Sequence, residues 1–252
     1  MVEKLSHLID FHLGELKSSD QNWCLELSNV AGRGVFAAKD IKAGEEIFRE
    51  YPLLIGPTAR KPTVLNTCTI CYKLLELDSF ICKKGCGLPI CDSCSESKQH
   101  IQECSLFRSW KPVNQEKAEP GVIRMLTVAR GLFLNKYQKE LLYDYKQIIV
   151  SVLNTNAFES LSKSEDHDIL LRGLYPLSGI MNHECTPNTC HYFEKDGLII
   201  VKATVDIKDR TEITNTYTKL MWSNMMRQFF LRMTKNFQCD CIRCKDPTNI
   251  IP

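Results

Sequence analysis

The chain has 252 residues, 44% hydrophobic and 25% charged, with a net charge of +2. That length allows a sizeable core, and the near-neutral balance implies no polyanion partner through bulk charge, so direct nucleic-acid binding is not expected. No run of 18 apolar residues occurs, so no membrane span is expected, and 13 cysteines without a secretory signal argue for metal thiolates in a reducing compartment, nucleus or cytoplasm, instead of disulfides.

Residues 1–21 read as a short amphipathic helix and a polar connection. From 22 to 64 the pattern alternates apolar and polar. WCLELSNV, RGVFAA and EEIFREYPLLIGP are expected to be strands, joined by turns at AGRG and KDIKAG.

Residues 65–106 hold the densest chemical signal. Four ligand-type pairs follow one another: Cys68 and Cys71, Cys82 and Cys86, Cys91 and Cys94, His100 and Cys104. A pair of thiolates two or three residues apart can chelate one ion from a tight turn. Eight such side chains fit two tetrahedral zinc sites.

From Glu103 to about Leu161 the periodicity becomes helical, and residues 107–170 form a helical insert on this reading. Ile123, Leu126, Ala129 and Phe133 recur at three- and four-residue steps, as do Leu142, Tyr145, Ile149 and Val152. Past the polar break KSEDHD the chain returns to strands, with residues 171–221 as a second strand-rich part. HYFEKDGLIIVKATVDI predicts a hairpin turning at Lys195-Asp196-Gly197, and EITNTYT a further short strand. In 222–252, LMWSNMMRQFFLRMTKNF predicts a helix, with Leu220, Met221, Met225 and Phe229 on one face. Cys239, Cys241 and Cys244 follow, a trio one ligand short of a zinc site. Cys185, in NHECTPN, is the candidate fourth ligand. The count then closes at three zinc ions, with only Cys24 and Cys190 left over.

GRG at 32–34, NHECTPN at 182–188, EITNTYT and FQCDCIRC at 237–244 together resemble the SET-domain protein methyltransferases. A zinc finger splitting the strand-rich region is the layout of the SET-and-MYND family, with a style similar to its arthropod branch. The implied fold is α+β: a β-rich SET domain split by a MYND finger and a helical insert, ending in a cysteine-rich post-SET zinc site. The resemblance implies S-adenosyl-L-methionine as methyl donor and a lysine of a histone or other protein as acceptor, with a role in transcriptional regulation. It assigns Gly32, Arg33 and Gly34 to the cofactor turn, and Asn156, Asn182, His183 and Phe237 to cofactor contacts. Tyr217 falls at the methyl-transfer centre. The chemistry suits these types: a guanidinium for a carboxylate, asparagine for amino-acid and adenine edges, an aromatic face for adenine. MYND fingers of this kind imply a proline-rich peptide partner, and a monomer is expected. Glu184 and Lys235 depart from the family pattern, which usually has serine and often a channel-lining tyrosine there. The alternative is a catalytically weak corepressor scaffold that binds partners through its finger.

Overall fold

The structure, a computed structural model, describes residues 2–30, 32–58, 66–75, 82–110, 120–144, 157–163 and 168–246. Helix α1 (Val2–Leu13) repeats apolar residues at helical spacing, and Leu5, Leu8, Ile9 and Leu13 are all buried. They pack with Trp23, Val35, Phe48, Met181, Val201 and Ile213 in the main core.

Nine strands form three antiparallel sheets among the described residues, and each sheet draws on both sides of the zinc-ligand segment. Strands β1 (Trp23–Leu27) and β2 (Arg33–Ala37) pair as a hairpin, with Leu25 opposite Val35, and β2 also pairs with β9 (Glu212–Ile213) through Val35 and Ile213. Strand β3 (Glu46–Glu50) pairs with β8 (Ile199–Ala203), which pairs with β7 (Thr189–Phe193). The β7–β8 hairpin turns where the sequence places it, closed by Glu194 N–H donating to Leu198 O at 2.8 Å. Strand β4 (Leu54–Pro57) pairs with β6 (Asp168–Leu174), which pairs with β5 (Ala157–Lys163). The chain is one fold interrupted by an insertion.

Three local expectations change. EEIFREYPLLIGP breaks at Tyr51-Pro52-Leu53 into β3 and β4, in different sheets; proline has no N–H for the ladder. Residues 157–161, expected as the end of a helical stretch, belong to β5, because β6 offers a full antiparallel partner from Leu174 to Asp168. Short apolar runs are ambiguous between the two periods. EITNTYT keeps only two strand residues. Beyond them the Thr216 N–H bonds the Asn215 side-chain oxygen at 2.8 Å, a local bond that competes with the ladder.

The insertion carries α2 (Asp92–Ser95), α3 (Lys98–Ser109), α4 (Pro120–Arg130) and α5 (Lys136–Asp144). Ser97 caps α3 by accepting from His100 N–H at 3.2 Å. Ile123, Leu126 and Ala129 bury against Cys68, Cys86, Leu88 and Phe107, as their spacing predicts, while Phe133 leaves the helix in a 3-10 turn and is exposed. Tyr145, Ile149 and Val152 lie outside the described residues. Arg130 clamps this unit to the sheets: it donates to Glu103 Oε1 at 2.7 Å, to Thr69 O at 2.8 Å and to Ile55 O of β4 at 2.5 Å.

Helix α6 (Asn224–Lys235) starts at Ser223, whose side chain accepts from Met226 N–H. The row Met221, Met225 and Phe229 faces outward, 95%, 76% and 62% exposed, and Leu220 and Met221 precede the helix. The inward face is Arg227 and Leu231. Asn236 closes α6 in the left-handed conformation, turning the chain toward Phe237 and the short α7 (Ile242–Lys245).

Candidate metal centres and candidate active site

All twelve predicted ligands gather into three groups of four. They are Cys68, Cys71, Cys91 and Cys94; Cys82, Cys86, His100 and Cys104; and Cys185, Cys239, Cys241 and Cys244. The first two groups interleave: the first pair joins the third, and the second joins the fourth. Within each group the ligand atoms lie within 4.8 Å of one another. Tetrahedral zinc with bonds of about 2.3 Å puts sulfurs roughly 3.8 Å apart. The observed separations are 3.7 Å for Cys71–Cys91, 3.8 Å for Cys82–Cys104 and 3.9 Å for Cys185–Cys239. The residues therefore fit three zinc ions, and Cys185 is a member of the third group.

The surroundings of the third group fit thiolates. Arg227, buried on α6, aims Nη2 at Cys244 Sγ from 3.6 Å, and Arg243 Nη1 donates to Cys185 O at 3.1 Å. Burial pushes the Cys241 thiol up to about 12, so deprotonation near neutral pH requires a coordinating cation. Gln228 fixes the ligand loop by donating to Cys239 O at 2.7 Å and accepting from Cys239 N–H at 3.2 Å.

Next to this group lie most of the residues assigned to the cofactor. Gly32 has φ of +60°, a left-handed turn that glycine adopts without strain. A side chain at Gly34 would strike the Glu212 carboxylate. Asn182 joins this turn to β9: its side-chain amide donates to Arg33 O at 3.1 Å and to Glu212 Oε1 at 2.6 Å. The main chain of Asn182 accepts from Asn215 N–H, and Glu184 N–H donates to Asn215 O. His183, bridging between them, keeps its own N–H and C=O on the opposite side. Its ring accepts the Tyr217 N–H on Nδ1 at 3.0 Å and sets Nε2 at 3.2 Å from Cys185 Sγ. Both ring nitrogens are engaged, which leaves the main-chain N–H and C=O as the groups of His183 turned away from Asn215. Burial, with Arg227 and Lys235 nearby, lowers its pKa to about 4. Phe237 closes the group, its ring 5.9 Å from His183 and 6.4 Å from Tyr217. Asn156 lies outside the described residues.

Tyr217 donates its hydroxyl to Met181 O at 2.7 Å and sits in the wall of a cavity of about 130 Å³. Burial and the Glu212 carboxylate push its phenol up to about 12, so it is neutral at physiological pH. The cavity is too small for a whole cofactor and suits one slender side chain. Its other walls include Phe158, His191, Thr216 and Lys235. Phe158, His191 and Phe193 form an edge-to-face row, with centroids 5.4 and 5.6 Å apart. Burial keeps His191 neutral by lowering its pKa. Lys235 places Nζ 4.9 Å over the Tyr217 ring, and burial followed by the Arg172 charge lowers its pKa. Sequence reasoning did not find Phe158 or His191, which only strand pairing brings beside Tyr217. It also missed Glu50, a fully buried carboxylate that accepts from Leu177 N–H, Ser178 N–H and Ser178 Oγ at 2.7–2.9 Å. Glu50 holds the 3-10 turn leading into Asn182 and His183.

A β-rich fold built around an inserted zinc module, with a four-cysteine group against a tyrosine-walled cavity, defines a zinc-braced SET-type domain. The SET domain family profile matches residues 32–218, and the chain belongs to that family, in its SET-and-MYND branch. It is 45% and 42% identical to isoforms A and B of the SET domain-containing protein SmydA-8 of Drosophila melanogaster, each match covering 98% of this chain and 61% or 63% of the relative. The chain thus spans about three fifths of the length of these relatives. The histone-lysine N-methyltransferase ASHR1 of Arabidopsis thaliana is 27% identical over 93% of this chain and 58% of its own. The crystal structure of the SET domain of LSMT bound to lysine and AdoHcy aligns with a TM-score of 0.43 and 14% identity, over 94% of this chain and 58% of that one. Among the described residues, no helix is long and apolar enough to cross a membrane.

Proposed function

We propose that the protein transfers a methyl group from S-adenosyl-L-methionine to a lysine side chain of a protein. One observation carries this reading: the glycine turn, Asn182, His183 and Phe237 converge beside the narrow, aromatic-walled cavity that holds Tyr217. The residues fit the cofactor. The turn at Gly32–Gly34 lets main chain approach its amino-acid end, the main chain of His183 is free of the bridge to Asn215, and Phe237 offers adenine an aromatic face. When bound, the cofactor supplies an electrophilic methyl group on a sulfonium.

The chain's own residues do the rest by positioning. Tyr217 spends its proton on Met181 O, so its oxygen presents lone pairs to an acceptor amine in the cavity. As a neutral phenol it orients the amine and does not deprotonate it. Phe158 and His191 exclude water from the acceptor, and desolvation lowers the amine's pKa toward the neutral form that can attack. Isothermal titration of the zinc-loaded protein with S-adenosyl-L-methionine, followed by radiolabelled methyl transfer to histones and other proteins, tests the reading; absence of cofactor binding overturns it.

The position of Lys235 over Tyr217 favours a second reading, a weakly active scaffold. On that reading a proline-rich peptide docks at the zinc module while methyl transfer stays low. We place either activity in nucleus or cytoplasm, acting as a monomer, without direct nucleic-acid or membrane contact; the transcriptional role belongs to the same proposal. Fractionation of cells and peptide binding to the isolated full chain test these points.

A further inference from the structure

We infer that His183 is a positioning residue that ties Tyr217 to the C-terminal four-cysteine group. This deepens the proposed reading, since Tyr217 matters for methyl transfer only if that reading holds.

The argument is a matter of proton placement. The Tyr217 main-chain N–H points at His183 Nδ1 from 3.0 Å, so that nitrogen offers its lone pair and carries no proton. A neutral imidazole then carries its one proton on Nε2. Nε2 lies 3.2 Å from Cys185 Sγ, so it donates to that sulfur. At 7% exposure, His183 has little water to turn to. The reverse arrangement, Cys185 donating to Nε2, would put a proton on Nδ1 against the Tyr217 N–H. The imidazole is therefore a two-ended strut: one end bonds the Cys185 sulfur, and the other fixes the main chain that carries Tyr217. The rings of Tyr217, 5.2 Å away, and Phe237, 5.9 Å away, flank the imidazole. Hydrogen bonds of this outer kind typically change metal affinity about 10–100-fold.

The two ends can be separated by substitution. His183→Asn offers an oxygen near the Nδ1 position and loses the donor to sulfur; His183→Gln offers an amide donor near Nε2 and loses the acceptor for Tyr217. The full chain loaded with cadmium-113 in place of zinc gives one NMR resonance per site. We expect His183→Asn to shift only the C-terminal resonance while Tyr217 amide exchange stays slow. We expect His183→Gln to leave that resonance in place while Tyr217 exchanges at least tenfold faster. An unmoved cadmium resonance in His183→Asn, or unchanged exchange in His183→Gln, overturns the inference. Wild-type protein supplies a check that needs no variant: the His183 Nε2–H proton should show scalar coupling to the C-terminal cadmium, and its absence also overturns the strut. None of these readouts depends on methyl transfer. A positive strut with no cofactor binding would sink the proposed function and leave the inference standing.

Discussion

The chain's two metal regions are both built mainly from cysteines, with His100 only in the first, and connect to the rest of the molecule in different ways. The interleaved module packs its buried cysteines against Leu88, Phe107, Ile123 and Leu126, a small core of its own. Arg130 links it to the sheets through Glu103 and the Ile55 carbonyl of β4. The C-terminal group shares its core with Tyr217 and Phe237 and touches the candidate active site through His183. The same coordination chemistry therefore serves as a staple in one place and as part of the site's framework in the other.

The sharpest way to break that comparison is to remove one ligand from each. Cys185→Ala should abolish detectable cofactor binding by calorimetry, with two zinc ions retained. Cys71→Ala should lower the melting temperature while leaving cofactor affinity within about threefold. Equal losses of affinity would erase the distinction. Next in size, Tyr217→Phe should cut turnover about 10²–10³-fold, the usual cost of removing one preorganised polar group, with the cofactor Kd unchanged. Arg130→Met leaves Glu103 buried without its partner, and such losses cost about 3–5 kcal/mol. Denaturant unfolding should register this, again without a change in Kd.

The pH dependence gives a smaller but cleaner signal. Tyr217 titrates at about 12, above its ordinary value of 10.0, so it is protonated throughout the working range. As pH rises from 7 the rate should climb by up to about tenfold per unit and level off below about 10.4, the free value of the amine, where the desolvated acceptor has lost its proton. A plateau that disappears in Tyr217→Phe would mean that the phenol itself ionises in this range. The smallest expected effect is Lys235→Tyr. It removes a cation from above the Tyr217 ring and restores an aromatic wall, so methyl transfer should rise a few-fold.

Local spacing carried much of this in advance. Cys68 to Cys104 are ligands because pairs two or three residues apart can share an ion, and the buried row Ile123, Leu126 and Ala129 follows from helical period. The β7–β8 hairpin follows from its turn residues. Spacing could not say which pair joins which, because interleaving is set by how the module folds in three dimensions. It found the α6 helix but not which way it faces: the apolar row Met221, Met225 and Phe229 faces out, and the buried row contains an arginine beside the sulfurs. Phe158, His191 and Glu50 were invisible because each acquires its neighbours through sheet pairing or a contact more than a hundred residues away. Asn182 and Tyr217 were legible through resemblance alone, and their partners, Arg33 O and Met181 O, are main-chain atoms that no side-chain pattern encodes.

The interleaving of the first two metal sites has a consequence for how the protein is made. Neither site is contiguous along the chain: Cys68 and Cys71 wait for Cys91 and Cys94, while Cys82 and Cys86 wait for His100 and Cys104. At a ribosomal pace of about 5–20 residues per second, each first pair spends on the order of seconds as an unclosed claw. It is then open to the wrong metal or to an oxidant. When Cys104 emerges, both sites can close almost together, and β4 is left poised to receive strands not yet synthesised.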